Sequence, residues 1–345
     1  MITTEKRPPL PGTRPEGARD ESEAAARVRD MFTRIAPRYD FLNHLLSFSL
    51  DHVWRRRTAK KFLHILRRPD ARILDLCCGT GDLAFALNRT RARVLRQGTA
   101  SAVPNSDETP RASAPEVEAR GSLALSGVEG SPAKGGPLSS GVLTLETEGS
   151  TPAMESTLGG RSFSFDISKT PPSGVSTPEG PQSSFPIIGS DFVEPMLVRA
   201  REKAAAGHRA VVFAAADALH LPFPDASFDL VTTAFGFRNL ANYEEGLREF
   251  ARVLKRGGEL GILEFTEPTS GPIASLFRFY FKNVLPRIGG AISGNAEAYK
   301  YLPGSVSKFP SPPELAALMQ RVGFTDVRVA SRNFASVILH SATRE

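Results

Sequence analysis

A short glycine-rich turn, Cys78-Gly79-Thr80-Gly81, follows the apolar stretch ARILDL at 71–76. The stretch predicts a buried strand, and a helix is predicted to begin directly after the turn, at Asp82. Glycine lets the backbone turn sharply and lets a ligand approach where a Cβ would be in the way, so the pattern indicates a nucleotide-type ligand. Ala84 stands where dinucleotide-binding turns have their third glycine. Alanine is tolerated there, and a purely structural glycine turn also fits.

Acidic residues stand at the ends of three predicted strands. Asp75 precedes the turn, where a carboxylate suits a ligand with an ammonium group and would repel a pyrophosphate. Asp191 ends the second strand, where an acid accepts hydrogen bonds from ribose hydroxyls. Asp217-Ala218 ends the third, where a carboxylate and a backbone amide suit an adenine edge. Each acid alone equally fits a helix N-cap or a solvated loop. Together they predict S-adenosylmethionine, and the residues that would hold it are Asp75, Gly79, Gly81, Asp191, Asp217 and Ala218.

Apolar strands alternate with amphipathic helices along most of the chain, as in a parallel sheet covered on both faces. The last two strand-like runs lie only a few residues apart, so they are expected to be antiparallel neighbours. The pattern predicts an α/β fold of the class I methyltransferase (Rossmann-like) type, which is a doubly wound, mostly parallel seven-stranded sheet with a terminal antiparallel hairpin. In such a sheet, ligands bind beyond the carboxyl ends of the strands. The strands are predicted at 71–76, 185–191, 210–217, 228–235, 258–265, 324–330 and 335–341.

A low-complexity segment separates the first strand–turn–helix unit from the second strand. Ser, Pro and Gly make up 35 of the 80 residues from 101 to 180, too polar a composition to offset the entropy of ordering. We therefore predict a mostly disordered insertion at 93–185, after a helix at 82–89. The remainder is predicted to be one methyltransferase domain, 22–92 and 186–345, whose residues 22–67 form a helical lid. Residues 1–21 are expected to be a disordered lead-in.

Composition limits the other classes of function. The formal net charge of +6 fits nucleic acid, an anionic membrane surface or simple solubility. Cys77 and Cys78 are adjacent, so no disulfide framework is implied, and a reducing, cytoplasmic compartment is expected. The six histidines are scattered, and no metal site is predicted. No apolar run reaches the roughly 18 residues of a transmembrane helix.

Longer segments of the chain have a more specific pattern than the glycine turn. They are MFTRIAPRYDFLNHLLSFSLDHVWRR (31–56), LDLCCGTGDLA (74–84), GSDFVEPML (189–197), ADALHLPFPDASFDLVTTAFGFRNL (216–240), REFARVLKRGGELGILEFTEP (248–268) and AYKYLPGSVSKFP (298–310). These segments resemble the C-methyltransferases of menaquinone and ubiquinone biosynthesis, the demethylmenaquinone methyltransferase family. The resemblance implies that S-adenosylmethionine methylates a ring carbon of a polyprenylated quinol. Demethylmenaquinol is the expected substrate, and the equivalent benzoquinol of ubiquinone biosynthesis is the alternative. The resemblance also implies that Thr80, Asp191, Asp217 and Ala218 contact the cofactor.

The segment FGFRN, just past the fourth strand, provides the predicted catalytic pair, Arg238 and Asn239. A quinol carbon becomes nucleophilic when the hydroxyl loses its proton, and a guanidinium can stabilise the phenolate although it cannot act as a base. The alternative for Arg238 is a structural salt bridge. Further residues are expected to fold over the rim as a lid and platform for a flat quinol, although packing alone would also explain them. These candidate substrate-binding residues are Tyr39 and Asn43 in the N-terminal helices, and Tyr299 and Tyr301 in a late loop.

The partners follow from the proposed chemistry. A prenyl tail is insoluble, so the substrate comes from a membrane, and the segment 273–290 is expected either to touch the inner membrane surface or to be a buried helix. Nucleic acid is not expected as a partner, because FGFRN stands where base-methylating enzymes have an Asn-Pro-Pro-Tyr-type clamp. A homo-oligomer is compatible with the sequence. A methyltransferase of another small molecule and a non-catalytic scaffold of quinone assembly stay open.

Overall fold

The computed structural model describes residues 12–15, 17–47, 49–100, 185–207, 209–267, 296–332 and 336–345, with four single positions between 275 and 283. Most of the predicted insertion and most of the segment 273–290 therefore lie outside the described residues. The predicted domain boundaries stay predictions.

Seven strands of the described chain form one sheet in the order β3-β2-β1-β4-β5-β7-β6. All neighbours pair in parallel except β7, which is antiparallel to both β5 and β6. The predicted α/β fold, with a mostly parallel sheet and a terminal antiparallel hairpin, is thereby confirmed. The strands are β1 Ile73–Leu76, β2 Ile187–Asp191, β3 Val211–Ala215, β4 Phe228–Ala234, β5 Leu254–Phe265, β6 Phe324–Arg332 and β7 Val337–Arg344.

Helices connect the strands and cover the sheet. Every residue of β1 and β2 is buried, which explains why both strands are mostly apolar, with the polar exceptions at Asp75, Ser190 and Asp191. Two short 3₁₀ turns, Ala36–Arg38 and Phe237–Asn239, complete the described elements that matter for the site. The helices are α1 Glu21–Ile35, α2 Tyr39–Leu46, α3 Leu50–Lys61, α4 Leu63–Leu66, α5 Asp82–Ala100, α6 Glu194–Ala206, α7 Tyr243–Val253, α8 Ala296–Lys308 and α9 Pro312–Arg321.

Two helix ends differ from the sequence-based expectation. The helix predicted at 82–89 continues to Ala100. The apolar positions at Leu247, Phe250 and Leu254 recur with a helical period, which predicts a helix at 242–255 with a glycine cap at Gly257-Gly258. The helix instead ends at Val253, and β5 begins at Leu254. The prediction of a cap there was wrong because Leu254 already pairs in parallel with Phe228, so the chain enters the sheet before it reaches the glycines.

One buried arginine joins the chain before the predicted insertion to the chain after it. Arg91 on α5 is 2% exposed, and its Nη1 donates to the carbonyl of Phe185 at 2.8 Å. Its Nη2 donates to the carbonyls of Pro69 at 2.7 Å and Ala71 at 3.1 Å. Burial lowers the pKa of this guanidinium. Arg91 therefore holds the last turn before β1 and the residue that leads into β2 in one place.

Part of the expected lead-in packs against the fold. Thr13 is 3% exposed, and its backbone amide donates to the carbonyl of Leu240 at 2.8 Å. Asp20 caps α1 by accepting a hydrogen bond from the amide of Glu23 at 2.8 Å. The periodic pattern of α1 was readable from the sequence, whereas the docking of Thr13 was not.

We predict that Arg91→Met lowers the free energy of unfolding by about 2–4 kcal/mol, because it leaves the buried carbonyl of Ala71 and the part-buried carbonyls of Phe185 and Pro69 without this donor. Urea denaturation followed by circular dichroism measures the change. Arg93→Met is the matched control, since Arg93 lies on the same helix but is exposed. Equal stability of the two variants would show that the Arg91 hydrogen bonds contribute nothing.

Candidate functional site

The glycine turn is fixed to the end of the neighbouring strand. The amide of Gly79 donates to Asp191 Oδ2 at 2.8 Å, and the amide of Cys78 donates to the carbonyl of Ser190 at 3.0 Å. Gly79 and Gly81 have φ values of 55° and 86°, which a side chain disfavours. Phe85 and Phe213 would lie 3.0 Å from a Cβ at position 81. The turn therefore needs glycine for its backbone conformation and for its close packing.

Two of the three predicted acids line one cavity of about 740 Å³. The buried carboxylate of Asp191 also accepts from the amide of Val193 at 2.9 Å, although burial still raises its pKa. Asp217 accepts from the amide of Leu219 at 2.9 Å. Ala218 lines the same cavity, whose wall is mostly apolar. The cavity thus combines two carboxylates with a hydrophobic lining, and their contacts with ribose and adenine stay predictions.

The third acid, Asp75, lines an adjacent cavity of about 310 Å³. Its Oδ1 accepts from the Thr232 hydroxyl at 2.8 Å, while its buried Oδ2 has no hydrogen-bond partner among the described residues. Burial raises the pKa of Asp75 to about 7. A buried carboxylate oxygen without a donor fits the ammonium group of S-adenosylmethionine. Gly79 and Tyr39 line both cavities, so the two are neighbours.

Arg55 is a candidate binding residue that the sequence analysis missed. It lines the smaller cavity, its side chain is 9% exposed, and it pairs with Asp51 and lies 3.7 Å from Asp82. A cation near Asp75 is suited to the carboxylate of an amino-acid end. Arg56 and Arg57 follow it and are exposed. The only sequence signal that separates Arg55 from them is its spacing of four residues from Asp51 on one helix.

The Thr80 hydroxyl belongs to a polar network that joins the glycine turn to the lid. It donates to the Asp40 carboxylate on α2 and accepts from Lys203 Nζ at 3.1 Å. Lys203, on α6, also binds Asp40 at 3.0 Å and Asp82 at 2.7 Å. The proposed contact of Thr80 with the cofactor stays a prediction, and the hydroxyl connects α2 to the turn in this structure.

Arg238 lies on the 3₁₀ turn after β4 and is 6% exposed. Its Nη1 donates to Glu264 Oε1 at 2.5 Å and to the carbonyl of Phe235 at 2.6 Å, while its buried Nε has no partner among the described residues. Burial alone would lower the pKa of Arg238, but the Glu264 carboxylate raises it. The salt bridge that was the alternative explanation for Arg238 is present, and the catalytic role of Arg238 stays a prediction. Glu264, which the sequence analysis did not single out, is buried against Arg238.

Tyr39 lines both cavities. Its side chain hydrogen-bonds Asn43, and Arg238 is close enough to affect its ionisation. Burial raises the pKa of Tyr39, so the phenol is neutral. Of the two predicted lid residues for the substrate, Tyr39 lines the site directly and Asn43 orients it.

The second part of the predicted substrate platform lies in a helix, because α8 contains the AYKYLP segment that was expected to be a loop. The Tyr301 hydroxyl donates to Asn239 Oδ1 at 3.1 Å, and Asn239 lines the larger cavity. Burial raises the pKa of Tyr301 to about 12. The structure therefore brings Asn239, Tyr301, Tyr39 and Arg238 together. The side chain of Tyr299 lies outside the described residues.

One cluster of potential metal ligands occurs among the described side chains. Atoms of His44, Asp51 and His52 lie within 4.8 Å of one another. However, Asp51 already accepts hydrogen bonds from Arg55 and from the Ser47 hydroxyl at 2.8 Å. Arg55 supplies the positive charge there, so the cluster is explained without a metal ion.

The sheet order, the glycine turn and the acids that line two adjoining cavities define a class I methyltransferase that uses S-adenosylmethionine. The chain belongs to the ubiE/COQ5 methyltransferase family, whose sequence profile matches residues 20–107 and 165–344. Across the described residues, no helix is long and apolar enough to cross a membrane.

Named relatives share most of their length with this chain. It is 36% identical over 323 residues to a demethylmenaquinone methyltransferase of Deinococcus radiodurans, covering 94% of this chain and 92% of the relative. It is 37% identical over 314 residues to the demethylmenaquinone methyltransferase of Thermus thermophilus, and the alignment covers 91% of this chain and 100% of the relative. It is 33% identical over 327 residues to the ubiquinone/menaquinone biosynthesis C-methyltransferase UbiE of Geobacter sulfurreducens, and the alignment covers 94% of this chain and 90% of the relative.

We predict that the affinity for S-adenosylmethionine rises as the pH increases through the pKa of Asp75, which is about 7. Below that pKa the carboxyl is neutral, and above it the carboxylate attracts the ammonium group of the ligand. Calorimetry at about pH 6 and about pH 8 should show a gain of up to about tenfold.

In this titration, the Asp75→Asn variant should bind S-adenosylmethionine weakly, and its affinity should change less with pH than that of the wild type. Asp225→Asn is the control, because Asp225 is exposed, and it should behave as the wild type. An unchanged pH dependence in Asp75→Asn would assign the titration to another group, with Asp191 the next candidate.

Proposed function

We propose that this chain transfers the methyl group of S-adenosylmethionine to a ring carbon of demethylmenaquinol, which gives menaquinol. The observation that carries the proposal is the position of Arg238, whose chain neighbour Asn239 lines the larger cavity. Tyr39, which lines both cavities, is close enough to Arg238 for the guanidinium to affect its ionisation. The cofactor cavities and a cation that can stabilise a phenolate are therefore neighbours. The names of the relatives from Deinococcus and Thermus support the choice of substrate.

The cofactor supplies an electrophilic methyl group when it is bound. We propose that Asp191 accepts from its ribose hydroxyls and that Asp217 with the amide of Ala218 holds the adenine. Asp75 and Arg55 are suited to the ammonium and the carboxylate at the other end. Gly79, which lines both cavities, lets the ligand lie close to the backbone, and Gly81 gives the turn its conformation. These assignments place one end of the ligand in each cavity.

The protein's task on the quinol side is to stabilise negative charge. A ring carbon is a weak nucleophile until a neighbouring hydroxyl is deprotonated, and the phenolate then pushes electron density onto the carbon. The guanidinium of Arg238 lowers the pKa of that hydroxyl, and a water accepts the proton. Arg238 cannot itself be the base, because Glu264 raises its already high pKa. Asn239, held by Tyr301, orients the substrate.

Aromatic side chains beside Arg238 suit a flat substrate and exclude water. The rings of Phe235 and Phe265 have centroids 4.6 Å apart, and Trp54 lies 5.9 Å from Phe235. The guanidinium lies 5.7 Å from the Phe265 ring centre. An arginine surrounded by rings in a low-dielectric environment stabilises a phenolate more than it would in water.

A prenylated quinol resides in a membrane, so we propose that the protein works at a membrane surface. Phe279, in the segment 273–290 that the sequence suggested for this contact, is 59% exposed. Sedimentation of the protein with vesicles that contain or lack anionic lipid would measure the contact.

The direct test incubates the pure protein with labelled S-adenosylmethionine and with either reduced demethylmenaquinone or the corresponding benzoquinol. We expect label in a product one methyl group heavier than demethylmenaquinol. Labelling of the benzoquinol alone would assign the protein to ubiquinone biosynthesis, an alternative that the name of the Geobacter relative leaves open. Binding of the cofactor without labelling of either quinol would favour the non-catalytic scaffold.

We predict that Arg238→Gln combined with Glu264→Gln lowers the kcat for quinol methylation by about 10²-fold or more, with cofactor affinity within a few-fold of wild type. Both charges are removed because a single substitution would leave an unpaired buried ion and destabilise the fold. Kinetics with the labelled donor and calorimetry provide the two measurements.

The matched control removes the exposed ion pair between Arg248 and Glu244 on α7 by the same two substitution types. It should keep wild-type turnover, because exposed pairs contribute little. If the buried double variant also kept turnover within a few-fold of wild type, Arg238 would have only the structural role.

A further inference from the structure

Thr13, from the N-terminal segment, is buried near the predicted catalytic pair, Arg238 and Asn239. The Thr13 side chain lies within hydrogen-bonding reach of the hydroxyls of both Tyr243 and Tyr301. All three residues are largely or fully buried, with Thr13 at 3% and Tyr243 at 1% exposure. The threonine hydroxyl is therefore enclosed by protein and shared between two tyrosines.

Each of these tyrosines holds one member of the catalytic pair. The Tyr243 hydroxyl donates to the carbonyl of Arg238 at 3.1 Å, and the Tyr301 hydroxyl donates to Asn239 Oδ1 at 3.1 Å. A tyrosine hydroxyl has one proton, and both protons are used in these bonds. The Thr13 hydroxyl also has a single proton, so it donates to one tyrosine oxygen at a time, and either bond helps to keep that phenol pointed towards Arg238 or Asn239.

The backbone on both sides of Thr13 is fitted to the same stretch of chain. The Thr13 amide donates to the carbonyl of Leu240 at 2.8 Å. A Cβ at Gly12 would lie 2.0 Å from the carbonyl carbon of Ala241, so no side chain fits there. Leu240 and Ala241 themselves line the larger cavity. The N-terminal segment is thus packed against the back of the cavity wall.

We propose that Thr13 is a positioning residue for methyl transfer, acting through Tyr301 on the side chain of Asn239 and through Tyr243 on the backbone of Arg238. This role rests on the proposed function of Arg238 and Asn239. Thr13 touches neither cavity, so its removal changes the orientation of the pair while the groups that bind the cofactor stay in place.

The test compares Thr13→Val, which keeps the shape and removes the hydroxyl, with Thr13→Ser, which keeps the hydroxyl. We expect Thr13→Val to lower the kcat for quinol methylation about tenfold, with cofactor affinity within about twofold of wild type. Thr13→Ser should restore most of the kcat. A valine variant with wild-type kcat, or a serine variant as impaired as the valine variant, would overturn the proposal.

A second measurement needs no quinol. Hydrogen exchange of the peptide that covers 236–242, read by mass spectrometry, should be faster in Thr13→Val than in wild type and unchanged in Thr13→Ser. Unchanged exchange in Thr13→Val would overturn the positioning role. If the wild-type protein methylated no quinol, the proposed function would fail, and the exchange rates would still decide whether Thr13 holds the pair.

Discussion

The parallel pairing of β1 with β2 is the contact on which the site depends. Leu74 pairs with Ile188 and Leu76 with Ser190, so the two strands end side by side. That register allows the amide of Gly79 to reach the carboxylate of Asp191 at 2.8 Å. A shift of one residue would turn these side chains to the opposite face. The ligand cavities exist only because this register is held.

Much of the polar chemistry here is buried, and the two buried arginines near the site each pair with a carboxylate. Arg238 is balanced by Glu264, and Arg55 by Asp51. Asp75 lacks an opposite charge in direct contact, and its pKa rises accordingly to about 7. Groups with shifted pKa values in a cavity commonly mark binding or catalysis. The fold thus tolerates an electrostatic cost at Asp75 that a cationic ligand would relieve.

The sequence was sufficient for the elements whose signals are local. Continuous apolar strands, the glycine turn and the acids at strand ends predicted the sheet and the cofactor cavities. Spatial partners were not predictable in this way: Glu264 is distant in sequence from Arg238 and reads as an ordinary strand residue. Thr13 was missed because its segment is polar and proline-rich, and its packing depends on contacts with Leu240 and the tyrosines. The end of α7 was misplaced because strand pairing outweighed the preference of glycine for helix caps.

The bond from Arg91 to Phe185 spans 94 residues of sequence. A ribosome adds about 5–20 residues per second, so β1 and α5 leave it roughly 5–20 s before their partner strand does. During that interval the buried edge of β1 faces chaperones and other nascent chains in place of β2. Contacts between residues so far apart in sequence also slow folding after synthesis, since chain entropy must be lost before the strands pair. We therefore expect the length of the connection to lower the yield of folded enzyme.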